Sequence, residues 1–209
     1  MRVKICGITR EEDAAQALSL GADAVGVVFH PNSPRFVTVD QAQAIRGTVS
    51  GLGMMVGLFV DPSVEEVEAV LDAVPLNLLQ FHGKEAPAFC SQFGRPYLKA
   101  IPMSADANLV REAERFHTAS ALLLDSKHEG QFGGTGSSFD WDWVDRALAD
   151  RVILAGGLHP DNVAAAVRQV RPAAVDVSSG VERTKGIKDL ASMRAFIEAA
   201  KLAGSELLR

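Results

Sequence analysis

Residues 152–180, VILAGGLHPDNVAAAVRQVRPAAVDVSSG, read as one complete strand–helix–strand unit. Val152–Ala155 is a short apolar run. Gly156–Gly157 breaks it, Asp161–Val170 carries apolar residues at helical spacing, and Ala174–Ser178 is a second, mostly apolar run closed by a Ser-Gly turn. Runs this apolar, without strict alternation, suit parallel strands covered on both faces.

Outward from that stretch the same unit recurs along the chain. Strands are predicted at Val3–Cys6, Asp23–Phe29, Met54–Val60, Leu76–Phe81, Tyr97–Ile101 and Ala121–Asp125, ahead of the two at 152–178. Helices are predicted at Glu11–Leu20, Val39–Arg46, Val64–Ala73, Ala86–Phe93, Ala105–Phe116, Trp141–Ala149, Asp161–Val170 and Leu190–Leu202. Thr9 with Glu12 has the spacing of a capping box, and Gly21 stands where a helix C-terminus favours glycine. Eight consecutive units point to a closed (β/α)₈ TIM barrel filling residues 1–209 as one α/β domain. An open doubly wound sheet is the rival, and it rarely needs eight strands from so short a chain.

Composition narrows the class. Apolar residues are 47% and charged residues 22% of the 209, near the globular norm. The net charge of −5 comes without a basic stripe, which argues against nucleic acid. No run approaches the ~20 apolar residues of a membrane span, and the N-terminus lacks a signal-peptide pattern. A soluble, cytoplasmic protein is expected. The two cysteines, Cys6 and Cys90, do not form a disulfide framework, and Cys90 falls in the apolar stripe of a helix, where packing is its expected role.

Barrel active sites lie at the C-terminal ends of the strands, so reactive residues there carry the functional reading. Cys6 ends the first strand, either as a reactive thiol or as a buried structural one. Asp125 ends the sixth, where a carboxylate after an apolar run needs a polar mouth or a partner and is a candidate acid. Strand alternation sets Lys4 on the face of Cys6, and Asp176 sits on the neighbouring strand of a closed barrel, so a buried Lys4–Asp176 pair is expected. Asp176 can also reach the substrate. Gln80 and His82 end the fourth strand, and a His there can orient substrate, serve as acid or base, or be purely structural. Arg35 follows Ser33–Pro34 in a loop, as a carboxylate clamp or a solvated charge. Three glycine-rich turns, with Gly134, Gly156–Gly157 and Ser179–Gly180, follow strands six to eight, and those after the last two point to a phosphate group. No Cys/His cluster has metal-ligand spacing, so no metal and no cofactor are called for.

Together these residues resemble phosphoribosylanthranilate isomerase over essentially the whole chain. The most specific motif is Lys4-Ile5-Cys6-Gly7-Ile8-Thr9. Ser33-Pro34-Arg35, Gln80-Phe81-His82-Gly83, Leu124-Asp125, Gly133-Gly134-Thr135-Gly136, Leu154-Ala155-Gly156-Gly157-Leu158 and Asp176-Val177-Ser178-Ser179-Gly180-Val181-Glu182 follow in the family's order. Phe81 departs from the family's usual Leu, a difference of packing. The resemblance implies an Amadori rearrangement of N-(5-phosphoribosyl)anthranilate, an aldose–ketose isomerisation in tryptophan biosynthesis. It implies Asp125 as general acid, Cys6 as thiolate base, Arg35 on the anthranilate carboxylate and the late glycine turns on the phosphate. The implied partner is a phosphorylated small molecule, with no obligate protein partner. A nearby Lys4 would be expected to lower the Cys6 pKa. Indole-glycerol phosphate synthase, a related barrel, needs strand-end Lys and Glu residues where this chain has Cys6 and Asp125. A barrel that only binds a phosphorylated ligand needs neither of them.

Overall fold

Eight parallel strands close into a barrel in chain order. They are β1 (Arg2–Ile5), β2 (Ala24–Val28), β3 (Met54–Phe59), β4 (Leu78–Phe81), β5 (Tyr97–Met103), β6 (Ala121–Ser126), β7 (Val152–Leu154) and β8 (Ala174–Val177). The structure is a computed structural model and describes residues 1–49, 51–126 and 138–207. The barrel shuts where β1 pairs with β8, in a register that sets Lys4 opposite Asp176.

Alternation along each strand sorts the side chains into two populations. Val3 and Ile5, Val25 and Val27, Leu122 and Leu124, and Val175 and Val177 point outward into the core shared with the helices. Ala24, Val56, Leu98, Leu123 and Ile153 fill the barrel interior. Above that plug the same inward-facing rows continue into Cys6, Val28 and Leu58, which form a smaller cluster. The period of the strand therefore carries Cys6, Gln80, Asp125 and Asp176 to the interior face at its C-terminal end. Phe81, on the outward row, packs with Phe59, Phe89, Phe93 and Tyr97 at ring separations of 5.7–6.2 Å.

Among the described residues, seven α-helices surround the strands: α1 (Glu11–Ser19), α2 (Val39–Thr48), α3 (Val64–Ala73), α4 (Pro87–Ser91), α5 (Leu109–Arg115), α6 (Val163–Val170) and α7 (Leu190–Glu206). Ser63 and Thr38 close capping boxes on α3 and α2 through Glu66 and Gln41. The box expected at Thr9 is absent. Thr9 Oγ1 instead donates to the Gly186 carbonyl at 2.5 Å, and the residue at the N-cap of α1, Arg10, makes no side-chain cap. Gly21, at φ +98°, does occupy the left-handed position just past α1.

The sixth unit also differs from expectation. Trp141–Ala149 is not one helix but two 3₁₀ segments, Trp141–Trp143 and Arg146–Arg151. Asp140 and Asp145 each accept the backbone N–H two residues on, so Asp145 starts a new segment where a continuous helix would need it in the interior. A further element goes unread in the sequence. After β8, a 3₁₀ turn at Ser179–Val181 leads into a small antiparallel hairpin, β9 (Glu182–Thr184) and β10 (Ile187–Lys188).

Candidate active site

Cys6, Arg35, Gln80, His82, Asp125, Gly156, Gly157, Asp176 and Ser179 line one cleft at the C-terminal mouth of the barrel. Gly180 does not line it, because its Cα lies against the Leu158 carbonyl, where a Cβ would sit 2.0 Å from the oxygen. Gly134 and its neighbours lie outside the described residues.

Cys6 follows directly on β1 and is held by its N–H, which donates to the Val177 carbonyl at 2.8 Å. Lys4, two residues earlier on the same face, donates to Asp176 at 2.9 Å, and both side chains are more than 90% buried. The expected ion pair is present. The expected lowering of the Cys6 pKa is not. Burial pushes the thiol up, the Lys4 ammonium opposes this, and the Asp176 carboxylate adds to the rise. Lys4 is already matched to Asp176, so little net positive charge is left for a thiolate.

Asp125 is fixed at both oxygens. Oδ1 accepts the Ser126 N–H at 2.8 Å, and Oδ2 lies 3.2 Å from His82 Nε2. His82 Nδ1 lies 3.1 Å from Gln80 Nε2. An amide nitrogen can only donate, so Nδ1 is the acceptor and the imidazole hydrogen sits on Nε2, facing Asp125. Gln80 is fully buried, and its Oε1 has no hydrogen-bond partner among the described residues. An unpaired carbonyl oxygen on a cleft wall is an acceptor open to a ligand hydroxyl or N–H.

Gly156 and Gly157 turn the chain out of β7 with φ of +71° and +66°, a backbone that glycine adopts without strain. A Cβ on Gly156 would come within 3.0 Å of Asp125 Oδ1 and 2.5 Å of the Ser126 nitrogen, so this glycine also leaves room for the carboxylate.

Arg35 is buried rather than solvated. Its Nε and Nη2 donate to the two oxygens of Glu182 at 2.7 and 2.8 Å. Glu182 in turn accepts from Lys188 Nζ at 2.9 Å. Burial would push the Glu182 carboxyl up, but the hydrogen bonds from Arg35 and the charge of Lys188 hold it below the usual range. Burial lowers the Lys188 pKa, with Glu182 acting against it.

Three residues of this site went unassigned in the sequence. Glu182 stands there only as the end of a motif, and Lys188 is not singled out at all. Gly26 gave a usable signal, since glycine inside a strand marks a close approach. A Cβ at that position would lie 2.9 Å from Cys6 Sγ and 3.1 Å from Lys4 Cε.

A family model described as N-(5′-phosphoribosyl)anthranilate (PRA) isomerase matches residues 3–199. The chain is 53% identical to the N-(5′-phosphoribosyl)anthranilate isomerase of Nitrosococcus oceani over 196 residues, 94% of this chain and 95% of that protein. It is 55% identical to the enzyme of Thiobacillus denitrificans over 201 residues, 96% and 98% of the two chains. Among solved structures, phosphoribosyl anthranilate isomerase from Thermotoga maritima superposes with a TM-score of 0.88 at 40% identity, covering 96% of this chain and 98% of that one. A phosphoribosyl anthranilate isomerase in complex with reduced 1-(o-carboxyphenylamino)-1-deoxyribulose 5-phosphate superposes at 0.85 and 38% identity, with the same coverage.

Proposed function

The chain belongs to the N-(5′-phosphoribosyl)anthranilate isomerase family, and from that premise we propose how its cleft carries the reaction. The reaction is the aldose–ketose isomerisation of N-(5′-phosphoribosyl)anthranilate to 1-(2-carboxyphenylamino)-1-deoxyribulose 5-phosphate in tryptophan biosynthesis. The observation that carries the assignment of roles is the convergence of Cys6 and Asp125 on one cleft, with paired left-handed glycines on its rim.

Asp125 gives a proton to the furanose ring oxygen. The bond from C1 to that oxygen breaks, and the anthranilate nitrogen closes a Schiff base. Cys6, as thiolate, removes the C2 proton, leaving an enolamine. Transfer of a proton to C1 and loss of the C2 hydroxyl proton give the ketone. One carbon is reduced as its neighbour is oxidised, so the sequence needs an acid and a base and no outside electrons. His82, its tautomer set by Gln80, orients the Asp125 carboxyl. Arg35 takes the anthranilate carboxylate, Asp176 and Gln80 face the sugar, and the turns with Gly156–Gly157 and Ser179 take the phosphate. Gly134 is assigned to the phosphate by the family pattern alone. Remote contacts at the two ends of the substrate hold the reacting carbons between acid and base.

We further infer that residues 1–209 act as one catalytic domain on a phosphorylated small molecule, without an obligate partner, nucleic acid or membrane. No helix among the described residues is long and apolar enough to cross a membrane. Both cysteines are unpaired, which suits the reducing cytoplasm.

The test follows the fluorescence decay of freshly made phosphoribosylanthranilate with wild type, Cys6→Ser and Asp125→Asn. Wild type should turn over rapidly, and each variant should lose roughly 10²–10⁴-fold in kcat, the worth of a positioned acid or base. A variant that keeps the wild-type rate removes its residue from the mechanism.

A further inference from the structure

The arginine assigned to the substrate carboxylate is already engaged. Glu182 takes Nε and Nη2, one of the two bidentate edges of the guanidinium. The edge made by Nη1 and the second Nη2 hydrogen remains for a ligand. Gly7 helps to fix this pose. At φ +71° it lies so close under Arg35 that a Cβ there would come within 2.4 Å of the arginine Cδ and 2.8 Å of Ser178 Oγ.

Pinning by a carboxylate carries an electrostatic cost. An Arg–Glu pair sums to zero charge, and an incoming carboxylate would meet no net attraction, with Glu182 itself nearby. Lys188 changes that sum. Its side chain is fully buried, and its Nζ donates to Glu182 at 2.9 Å and to the Ser178 carbonyl at 3.1 Å. Its backbone N–H donates to Asp13, a carboxylate matched in turn by Arg10. Lys4 and Asp176 cancel each other. Arg35, Glu182 and Lys188 together therefore retain one positive charge, presented through the free edge of Arg35.

We propose that Lys188 is a specificity-determining residue for the carboxylate end of the substrate: by balancing Glu182 it lets Arg35 be held rigidly and still act as a net cation. Lys188 acts through Arg35 and is a positioning residue. The inference rests on Arg35 as the carboxylate site.

The test compares the affinities of two inert ligands. One is reduced 1-(o-carboxyphenylamino)-1-deoxyribulose 5-phosphate, and the other is the same molecule without the ring carboxylate. Wild type should favour the first. Lys188→Met should reduce that preference by about tenfold or more, since a hydrogen bond to a charged partner is worth at least that factor, while affinity for the carboxylate-free ligand holds. Glu182→Gln combined with Lys188→Met restores the net charge of Arg35 and should restore the preference. A structural role for Lys188 would weaken both ligands alike and would not be rescued by a second substitution. Equal weakening, an unchanged preference in Lys188→Met, or a double variant without the preference overturns the proposal. The double variant leaves this group of three with the same single positive charge as wild type, so it decides the matter even if Lys188→Met fails to fold. Arg35→Met separates the premise. If Arg35→Met keeps the preference, the carboxylate lies elsewhere, and the assignment of Arg35 falls together with the proposal.

Discussion

At the scale of single residues, the environment of Cys6 sets the conditions under which it works. The thiol is buried beside a lysine whose charge is matched to Asp176, and its pKa is raised. A base acts only when deprotonated, so kcat/KM should rise with pH through a limb above about 8.5, the ordinary thiol value. The same shift makes a stability statement. A group whose folded pKa is raised contributes stability below its unfolded pKa and loses it as pH climbs through the folded one. A pH–rate profile with its rising limb below the ordinary thiol value would contradict the reading. Gly26 supplies a second residue-scale prediction. A methyl there meets the buried Cys6 Sγ at 2.9 Å and the ion-paired Lys4 Cε at 3.1 Å, so Gly26→Ala should destabilise by about 1–3 kcal/mol, as overpacking does. Displacing the base by even part of an ångström should lower kcat by about tenfold or more. Matched melting curves with wild-type kcat would remove Gly26 from the site.

At the scale of elements, helix ends separate local from distant causes. Ser63 caps α3 through bonds made within four residues, and Ser63→Ala should cost about 1 kcal/mol. For a chain of this size that is a fall in Tm of roughly 2–4 °C. Thermal unfolding followed by circular dichroism checks it, and an unchanged Tm would mean the cap is redundant. Thr9 shows the opposite case. Its hydroxyl is drawn away from α1 by the Gly186 carbonyl of the hairpin, a partner 177 residues on. Asp145 shows why the sixth unit lacks an α-helix: a side chain that starts segments well was placed where a helix interior was expected.

At the scale of the whole molecule, closure of the barrel depends on one seam. Lys4 and Asp176 face each other across β1 and β8, buried and 2.9 Å apart. Removing one partner strands a buried charge, and Lys4→Met should destabilise by about 3–5 kcal/mol. Replacing both, as Lys4→Met with Asp176→Leu, should recover most of that loss, because no unpaired charge remains. Denaturant unfolding of the single and double variants measures the difference. A double variant no more stable than the single would mean that the pair holds the seam by shape rather than by charge.

The sequence by itself determined the architecture. Eight apolar runs, each followed by a turn and a helical pattern, have one closed solution at this length, and strand alternation alone carries Cys6, Gln80, Asp125 and Asp176 to the same face. The ordered motifs from Lys4 to Glu182 then placed the chain in its family. Even the Lys4–Asp176 pair was legible, because closure makes the first and last strands neighbours. The tertiary structure decided the charge state and company of those residues. That Arg35 is held by Glu182, 147 positions away, follows from the hairpin packing back against Thr9, Asp13 and Arg35, which no local periodicity encodes. That the Cys6 pKa rises depends on the sum of burial, Lys4 and Asp176. A sequence specifies which side chains lie near one another along a strand or helix. Only the closed fold fixes how far each charge is buried and which opposite charge it meets, and electrostatic energies depend steeply on both.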